Sequence, residues 1–577
     1  MKNSILQPNT FYPRLLSTLV AVIVLAALGT AGFVAVANKV TFESQPVYVE
    51  LPPQKVLVVY DGGGEVYDQA MTGLDYAKIA HDDVDLAAGV LFTSLEDYTA
   101  LVVAAESFSD VGAEDALAIS EYVAAGGGLA VLVPARNPAL DQAFGVSDQP
   151  AGDEATISSG IHFVGDLVPG LEGLQIEGRD VGEFRAREAA TLDGVELLAT
   201  TGDGGLPLVW QHRFGQGRVI YWNNDLLASK AFRGLAVQSV LAVHGGAVMS
   251  LVNAGIFHVD GFPAPPLVEG ADFYHQQWFP GMMALAGKYG IKYTWLADFG
   301  RAEPPWDFDE WAGATIEIEE HETPYCAYMA YQVGRGGHEL ALQGYSEEAA
   351  LEAVGRRWQE DSLGPLPTTY IPPSGGYDEA ALAALRAALP SVQVVSGDAF
   401  GAFEEGGERE FGSEPWNEEL FAMPRWTSGY ADNPYTRLLA LSELNTFGVW
   451  THSIRADDAL DPWGEQYDRL DALLGWNDEY RPWLRWLTTA EAYSELASYF
   501  DTDVTYTFDK AYRVTVTFTG QPTYLLLRLN DGRKLDLNSL MNVQIVSYYE
   551  GQGYYQYVLR AMDLEARFGL LIPTADL

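Results

Sequence analysis

Short apolar runs alternate with helical segments from Lys55 onward. KVLVVYD and ALVVAAE are continuous β-branched runs typical of buried strands, and AEDALAISEYVAAGGG has helical spacing that ends in glycines. Strands that alternate with helices predict a parallel sheet covered on both faces. The later stretch LPLVWQHRFGQGRVIYWNND predicts two strands about a glycine-containing turn. We therefore predict an α/β domain with a parallel sheet over residues 55–250.

A second series of strand and helix patterns covers residues 251–498. The apolar runs GIFHVD, KYTWLAD, TTYIPPS, VQVVSGD and FGVWTHS recur between helical segments such as FPGMMALAGKYG and DEAALAALRAALP. Repeated strand–helix units over roughly 200 residues are typical of a (β/α) barrel of the TIM type or a shortened relative. In such a barrel the functional side chains gather just after the carboxyl ends of the strands. The residues that follow these runs are therefore candidate site residues.

The period of the pattern changes again over residues 499–577. TDVTYTFDKAYRVTVTFTG, TYLLLRLNDGRKLDLN and VQIVSYYEGQGYYQYVLR alternate apolar and polar positions, as strands with one buried face do. Asn530-Asp531-Gly532 and Gly551-Gln552-Gly553 are turn signals typical of hairpins. We predict a small antiparallel β-sandwich here, which makes the whole chain an α/β multidomain protein.

The N-terminal region contains an uncharged, almost wholly apolar run from Leu15 to Ala37. About 20 such residues suffice to cross a bilayer as a helix. Lys2 and Arg14 precede the run and Glu43 follows it, so the positive-inside rule places the N-terminus in the cytoplasm. The sequence predicts a single-pass protein of the cytoplasmic membrane with the bulk of the chain outside the cytoplasm.

This interpretation makes residues 1–40 a transmembrane anchor and residues 41–54 a Pro-rich tether. The alternative is a cleaved signal peptide, because Ala35-Val36-Ala37 matches a cleavage site. Under either interpretation the protein acts beyond the cytoplasmic membrane.

Charge and cysteine content exclude several classes of function. The formal net charge is −45, from 34 basic and 79 acidic residues, which argues against nucleic acid as a partner because such binding needs clustered Lys and Arg. Cys326 is the only cysteine, so neither an intramolecular disulfide nor a multi-thiolate metal site can form.

Short segments of the middle region carry a family resemblance. In chain order they are HVDGFP (258–263), GGHELALQGYSEE (336–348), YIPPSGG (370–376), MPRWTSGY (423–430) and VWTHSIRADDALDP (449–462). This series resembles the polysaccharide deacetylases, and more closely the extracytoplasmic proteins of the domain-of-unknown-function 2194 family. The resemblance implies a flavodoxin-like, class I glutamine amidotransferase-like domain followed by a deacetylase-like barrel. Residues 55–250 contain no cysteine, so the first domain lacks the nucleophile of glutaminase chemistry.

The resemblance implies a metal site that has lost most of its ligands. Polysaccharide deacetylases use an Asp-Asp pair and two histidines at i and i+4, with one Asp acting as base and the metal activating water. Asp260 matches the first motif, but Gly261 stands beside it, and the histidine pair falls on Gln343 and Glu347. Asp260, Glu347 and His338 are the remaining candidate ligands. A standard Asp-His-His zinc site is not predicted, and the cofactor, including a divalent metal, stays open.

Two catalytic candidates follow from the same resemblance. Asp260 corresponds to the base or the metal ligand, and His452 corresponds to the late histidine that donates a proton to the leaving amine. Asp260 has an alternative, structural role, since it could cap a turn before Gly261. The residues that the resemblance places on the substrate are Arg425, Trp426, Tyr430 and Pro373.

Three functions remain open from the sequence. The first is a membrane-anchored polysaccharide deacetylase-like protein with a degenerate metal site, which acts on exopolysaccharide or envelope glycan. The second is a pseudoenzyme that binds glycan or serves as a scaffold among exopolysaccharide assembly proteins. The third is a glycoside hydrolase in which Asp260 and another carboxylate replace the metal.

Overall fold

The computed structural model describes residues 54–88, 94–147, 154–263, 270–298, 315–318, 321–344, 348–360, 363–372, 377–400, 409–509 and 512–571. The predicted membrane segment, Leu15 to Ala37, lies outside these ranges. No helix within them is long and apolar enough to cross a bilayer. The described residues up to Leu570 belong to one compact unit.

The first large sheet is mixed rather than wholly parallel. Its nine strands lie in the order Ala80–Asp85, Lys55–Tyr60, Ala100–Val103, Gly128–Val131, Gly217–Trp222, Pro207–Phe214, Glu196–Thr201, Ile161–Phe163 and Gln175–Ile176. The first five strands in this order are parallel, as the strand–helix alternation predicts. Pro207–Phe214 and Gly217–Trp222 form the predicted hairpin. The last four strands extend the sheet in antiparallel fashion, which was not predicted.

Helices cover both faces of the first sheet. The helices of this region are Glu65–Tyr76, Ala113–Ala124, Asp141–Phe144, Gly178–Val181 and Arg233–Ala242. The predicted helix Ala113–Ala124 packs Ile119 and Val123 into the core on one face of the sheet. Every residue of Arg233–Ala242 is buried, because this helix also packs against helix Pro434–Phe447 of the next region. The first two predicted domains therefore share a tightly packed helix pair.

The second large sheet is an open half-barrel, which agrees with the predicted shortened relative rather than with a closed TIM-type barrel. Its main path runs Gly412–Glu414, Asn417–Ala422, Val394–Val395, Thr369–Ile371, Glu339–Gln343, Tyr293–Asp298, Ala254–Phe262, Val449–Arg455 and Thr427–Ser428, and Trp486–Leu487 pairs with Ala254–Phe262. All pairs are parallel except the first. Parallel strands place their carboxyl ends at one edge, so the residues after them gather there.

Some helices of this region begin or end at recognisable capping residues. They are Ala271–Phe273, Phe279–Tyr289, Tyr325–Arg335, Glu348–Glu360, Glu379–Ala388, Pro434–Phe447, Gly464–Tyr480 and Thr489–Phe500, with a π-helical turn over Tyr274–Trp278. Asn433 caps Pro434–Phe447 through its side chain, and Gly448 ends that helix in the left-handed conformation. Thr488 and Glu491 form a capping box at the start of Thr489–Phe500.

Two four-stranded sheets occupy the C-terminal region. One contains Gly246–Leu251, Tyr524–Leu529, Tyr554–Ala561 and Val543–Gly551, and the other contains Val504–Phe508, Arg513–Phe518, Glu565–Leu571 and Lys534–Met541. The hairpin at Gly551-Gln552-Gly553 is confirmed. The hairpin predicted at Asn530-Asp531-Gly532 is wrong, because the strands on its two sides belong to different sheets.

Two further antiparallel pairs are Thr315–Ile318 with His321–Pro324 and Glu154–Ile157 with Phe184–Arg187. One hydrophobic cluster contains Val56, Tyr293 and Val558, one residue from each predicted domain. The boundaries 55–250, 251–498 and 499–577 stay predictions.

Candidate functional site

Asp260 lies near the carboxyl end of a central strand of the half-barrel. All nine residues of that strand, Ala254–Phe262, are buried. Parallel neighbours on both sides, Tyr293–Asp298 and Val449–Arg455, enclose it. The residue is 4% exposed, and a buried carboxylate is stable only with a counter-charge or several hydrogen bonds.

Arg425 supplies that counter-charge. Its Nη1 donates to Asp260 Oδ2 at 2.6 Å, and its Nη2 donates to Asp398 Oδ1 at 3.0 Å. Burial opposes the charge on the guanidinium, but Asp260 and Asp398 together raise the pKa of Arg425 above its usual value. The Asp398 side chain is 57% exposed, so the cluster reaches solvent on that side. We call Asp260, Arg425 and Asp398 the arginine-bridged cluster.

Three polar atoms next to this bridge are buried and lack a hydrogen-bond partner within the described part of the chain. They are Asp260 Oδ1, Arg425 Nε and His258 Nδ1. His258 and Asp260 are two positions apart on one strand, so their side chains lie on the same face of the sheet. A ligand with O–H or N–H groups would satisfy the two acceptors.

A chain of hydrogen bonds fixes which nitrogen of His258 is the acceptor. Glu339 Oε2 accepts from Thr294 Oγ1 at 3.3 Å, and Thr294 Oγ1 accepts from Thr489 Oγ1 at 2.9 Å. Thr489 therefore donates its only hydroxyl proton to Thr294. His258 Nε2, which lies 2.8 Å from Thr489 Oγ1, must then donate to Thr489 Oγ1. Nδ1 of the neutral ring consequently carries a lone pair.

Electrostatics keep His258 uncharged at neutral pH. Burial, and then the positive charge of Arg425 and the ring of His452, lower the pKa of His258 to about 3. The sequence analysis did not select His258, although its spacing of two from Asp260 on a strand was a usable signal.

A metal site of the deacetylase type does not fit the residues present. Gly261, at the position of the second carboxylate, has φ +67°, a conformation that an Asp would rarely adopt. Its N–H donates to Gln343 Oε1 at 2.7 Å, so Gln343 is engaged with the backbone. Among the described residues no group of three His, Cys, Asp or Glu side chains could hold a metal ion. Glu347 lies outside the described residues.

His338, the other candidate ligand, lies away from the arginine-bridged cluster. Its Nδ1 accepts from the backbone N–H of Tyr293 at 3.0 Å, and its ring packs against Tyr293 and Trp295. Tyr293 is in register with Phe257, an odd-numbered position on the strand that carries Asp260, so this is the opposite face.

His452 also lies on the opposite face of the sheet from Asp260. It is in register with Phe257, and the two rings meet edge to face at 4.9 Å. The residue is fully buried, and burial lowers the pKa of His452 to about 4. The structure therefore brings Arg425 to Asp260 but does not bring His452 there.

The predicted substrate-binding residues near Arg425 are largely covered. Trp426 is 5% exposed, and Lys230 Nζ lies 5.3 Å from the centre of its ring. Tyr430 is 7% exposed; its hydroxyl donates to Arg455 O at 2.9 Å and accepts from Trp278 Nε1 at 3.1 Å. Pro373 lies outside the described residues.

One known family model matches most of the chain. The family model described as "Uncharacterised protein conserved in bacteria (DUF2194)" matches residues 44–555. The chain belongs to the DUF2194 family. A sequence search of curated proteins gave no match for this DUF2194 protein.

One solved structure supports the overall fold, and others match shorter parts of the chain. Agd3, described as a novel carbohydrate deacetylase, matches with a TM-score of 0.51 and 11% identity over 90% of this chain and 98% of its own. A β-galactosidase from Bacillus circulans sp. alkalophilus matches with a TM-score of 0.23 and 16% identity, over 34% of this chain and 33% of its own. PurLQS from Thermotoga maritima matches with a TM-score of 0.25 and 14% identity, over 33% of this chain and 98% of its own. The DUF2194 protein thus shares its overall fold with Agd3. The glutamine amidotransferase-like character of residues 55–250 stays a prediction.

Proposed function

We propose that this DUF2194 protein binds and acts on an extracytoplasmic polysaccharide at the arginine-bridged cluster. The observation that carries the proposal is the pair of buried acceptors without partners, Asp260 Oδ1 and His258 Nδ1, on one face of the half-barrel. A carbohydrate offers many O–H donors, and a hexosamine adds N–H donors. The fold shared with Agd3 supports this class of ligand.

Arg425 prepares Asp260 for this role by holding one carboxylate oxygen. The ion pair holds the Asp260 carboxylate in one orientation, so Oδ1 can accept from a sugar hydroxyl. A hydrogen bond to a charged group contributes about 1.5–3 kcal/mol. His258 Nδ1 provides a neutral acceptor deeper along the same strand.

The same geometry is compatible with hydrolysis that uses Asp260 as general base on a water molecule. Two observations favour the alternative, a glycan-binding protein without deacetylase activity. Gly261 and Gln343 occupy the positions at which the family motif has a carboxylate and a histidine. The backbone N–H of Gly261 also donates a hydrogen bond to the side chain of Gln343. Glycoside hydrolysis is the third candidate, with Asp398 as the second carboxylate beside Asp260.

Binding and acetate release separate these functions. The probes are N-acetylglucosamine oligosaccharides and their deacetylated counterparts, tested on the wild-type chain, on Asp260→Asn and on Asp478→Asn. Asp478 is an exposed helix residue and serves as the matched control. We expect oligosaccharide binding that is lost in Asp260→Asn and kept in Asp478→Asn.

The outcomes of this experiment are distinct. Acetate release by the wild type but not by Asp260→Asn identifies a deacetylase, and binding without release identifies a glycan-binding protein. Shortened oligosaccharides identify a glycosidase. Equal behaviour of the wild type and Asp260→Asn toward every probe would contradict a function at this cluster.

We also propose that residues 1–40 anchor the protein in the cytoplasmic membrane with the remainder outside. The apolar run Leu15 to Ala37 supports this location. Protease added to intact spheroplasts should then degrade the protein, whereas survival of the full-length chain until lysis would contradict the proposal. Exopolysaccharide assembly proteins are proposed partners on the same side of the membrane.

A further inference from the structure

A large cavity is lined by residues that do not belong to the arginine-bridged cluster. Its volume is about 890 Å³, and it is enclosed by the antiparallel half of the first sheet and by the turns at Asn530–Gly532 and Gly551–Gly553. None of the candidate site residues named above lines it. Pockets for small ligands commonly have volumes of about 300–1,000 Å³.

Two arginines face this cavity from directly opposite positions. Arg213 and Arg218 are register partners on the antiparallel strands Pro207–Phe214 and Gly217–Trp222, and both line the cavity. Side chains of directly opposite residues lie on the same face with Cβ atoms about 4.5–5.5 Å apart. Like charges in this arrangement repel each other, so the pair needs a compensating anion.

No carboxylate in the described part of the chain forms an ion pair with either arginine. Arg218 Nη2 donates to the backbone carbonyl of Asn530, a neutral acceptor. The chain has 79 acidic and 34 basic residues, so an arginine usually has a carboxylate nearby. Arg185, for example, contacts three carboxylates. Arg213 and Arg218 are thus a cationic pair in an otherwise acidic protein.

Acidic residues also line the cavity, although none of them forms an ion pair with either arginine within the described part of the chain. They are Asp193, Glu196, Asp531 and Glu550. Burial, and then the neighbouring Arg213, lower the pKa of Arg218 to about 10, although Asp531 and Glu196 act in the opposite direction. Glu196 is itself engaged, because its Oε2 accepts from Gln211 Nε2 at 3.0 Å.

An aromatic ring also lines the cavity. Tyr555 lines the cavity and is half-buried, and Lys534 Nζ lies 4.5 Å from the centre of its ring. A ring of this kind offers an apolar surface together with a polar hydroxyl. The ligand that fits has an oxyanion for the arginines and a ring-shaped body.

We propose that this cavity binds a carboxylate-bearing sugar residue of the hexuronate type, with Arg213 and Arg218 as the carboxylate-binding pair. Arg is the residue best suited to planar recognition of a carboxylate. The anionic part of this inference rests on the arginine pair, and the sugar part rests on the proposed function. The site would hold an acidic unit of the same polysaccharide away from Asp260.

The test uses isothermal titration of the full-length chain in mild detergent, with glucuronate, glucose and sodium sulfate as probes. Variants Arg213→Gln and Arg218→Lys are compared with Arg179→Gln, a control arginine that is exposed and does not line the cavity. We expect saturable binding of glucuronate that is at least tenfold weaker in Arg213→Gln and Arg218→Lys. Binding should be unchanged in Arg179→Gln, and glucose should not bind.

Each contrary outcome overturns a defined part of the inference. Sulfate that binds as tightly as glucuronate would leave an inorganic oxyanion site and overturn the sugar assignment. Absence of saturable binding for both anions, or unchanged binding in both cavity variants, would overturn the site itself. Arg213 is exposed, so Arg213→Gln should fold normally and keep the test decisive. The cavity variants do not change Asp260 or Arg425, which do not line the cavity, so failure here is distinguishable from failure of the proposed function.

Discussion

Asp260 and Arg425 are 165 positions apart in the chain, yet Oδ2 of the one lies 2.6 Å from Nη1 of the other. Their side chains are only 6% and 9% exposed. An ion pair in such surroundings depends on both members, since Asp260 alone would be a buried charge without a counter-charge and Arg425 would keep only the exposed Asp398. One oxygen of Asp260 holds the arginine, and the other is buried without a hydrogen-bond partner within the described residues.

Replacement of Asp260 by Asn should be strongly destabilising. The change leaves the Arg425 guanidinium buried with only Asp398, and breaking a buried pair costs about 3–5 kcal/mol. Asp398→Asn is the matched control: its side chain is 57% exposed, and an exposed pair contributes about 0–1 kcal/mol. Urea unfolding of both variants measures the difference. Equal losses would show that Arg425 does not depend on the buried partner.

Replacement of Gly261 by Ala should also lower the free energy of unfolding. Gly261 has φ +67°, and a side chain in that conformation costs roughly 1–2 kcal/mol. Steric conflict is not the cause, because a Cβ at this position would meet only Asp457 Oδ1 at 3.6 Å. Gly464→Ala is the control, since Gly464 begins a helix in open space. The same unfolding experiment should show no loss for this control, and a comparable loss there would refute the conformational explanation.

Lys230 joins the first sheet region to the half-barrel, and Lys230→Met should weaken that junction. Its side chain is fully buried, and Nζ donates to the carbonyls of Ala399 and Arg409 and lies 3.3 Å from Glu410 Oε1. Removal of a buried, paired charge costs about 3–5 kcal/mol. Lys55→Met, which breaks an exposed pair with Asp82, should cost no more than about 1 kcal/mol. A similar urea midpoint for the two variants would argue against a stabilising role of Lys230.

His452 should make the protein less stable in mild acid. Its pKa in the folded protein is about 4, below the ordinary value of about 6.5, so the unfolded chain binds a proton that the folded chain does not. The free energy of unfolding should therefore fall as the pH drops from about 6.5 to about 4, by about 2 kcal/mol at pH 5 from this group. His452→Gln should remove that part of the loss between pH 7 and pH 5. An unchanged loss in the variant would show that His452 does not titrate in this way.

The large-scale pattern was predictable where strands are long and continuous. KVLVVYD and GIFHVD form strands because β-branched and aromatic runs suit a sheet buried on both faces. The antiparallel extension was not predictable, because Ile161–Phe163 and Gln175–Ile176 are too short to show a period. The turn at Asn530 was misinterpreted because turn chemistry is local, whereas the partner of each flanking strand is chosen by the sheet into which it packs.

The candidate site was predictable in part for similar reasons. Asp260 and Arg425 were selected from motifs, but their ion pair depends on a long-range approach that no local pattern encodes. The separation of His452 from Asp260 follows from strand register and alternation, which became known only with the pairing to Phe257.

Strand Gly246–Leu251 pairs with Tyr524–Leu529, immediately before the chain enters the half-barrel at Ala254. Synthesis proceeds from the N-terminus at about 5–20 residues per second. Gly246–Leu251 therefore remains unpaired while the ribosome makes the whole half-barrel, which precedes its partner strand in the chain. Its edge is open to wrong partners during that interval. This sheet therefore cannot begin to form until Tyr524–Leu529 has left the ribosome, which sets the earliest moment at which the protein can mature.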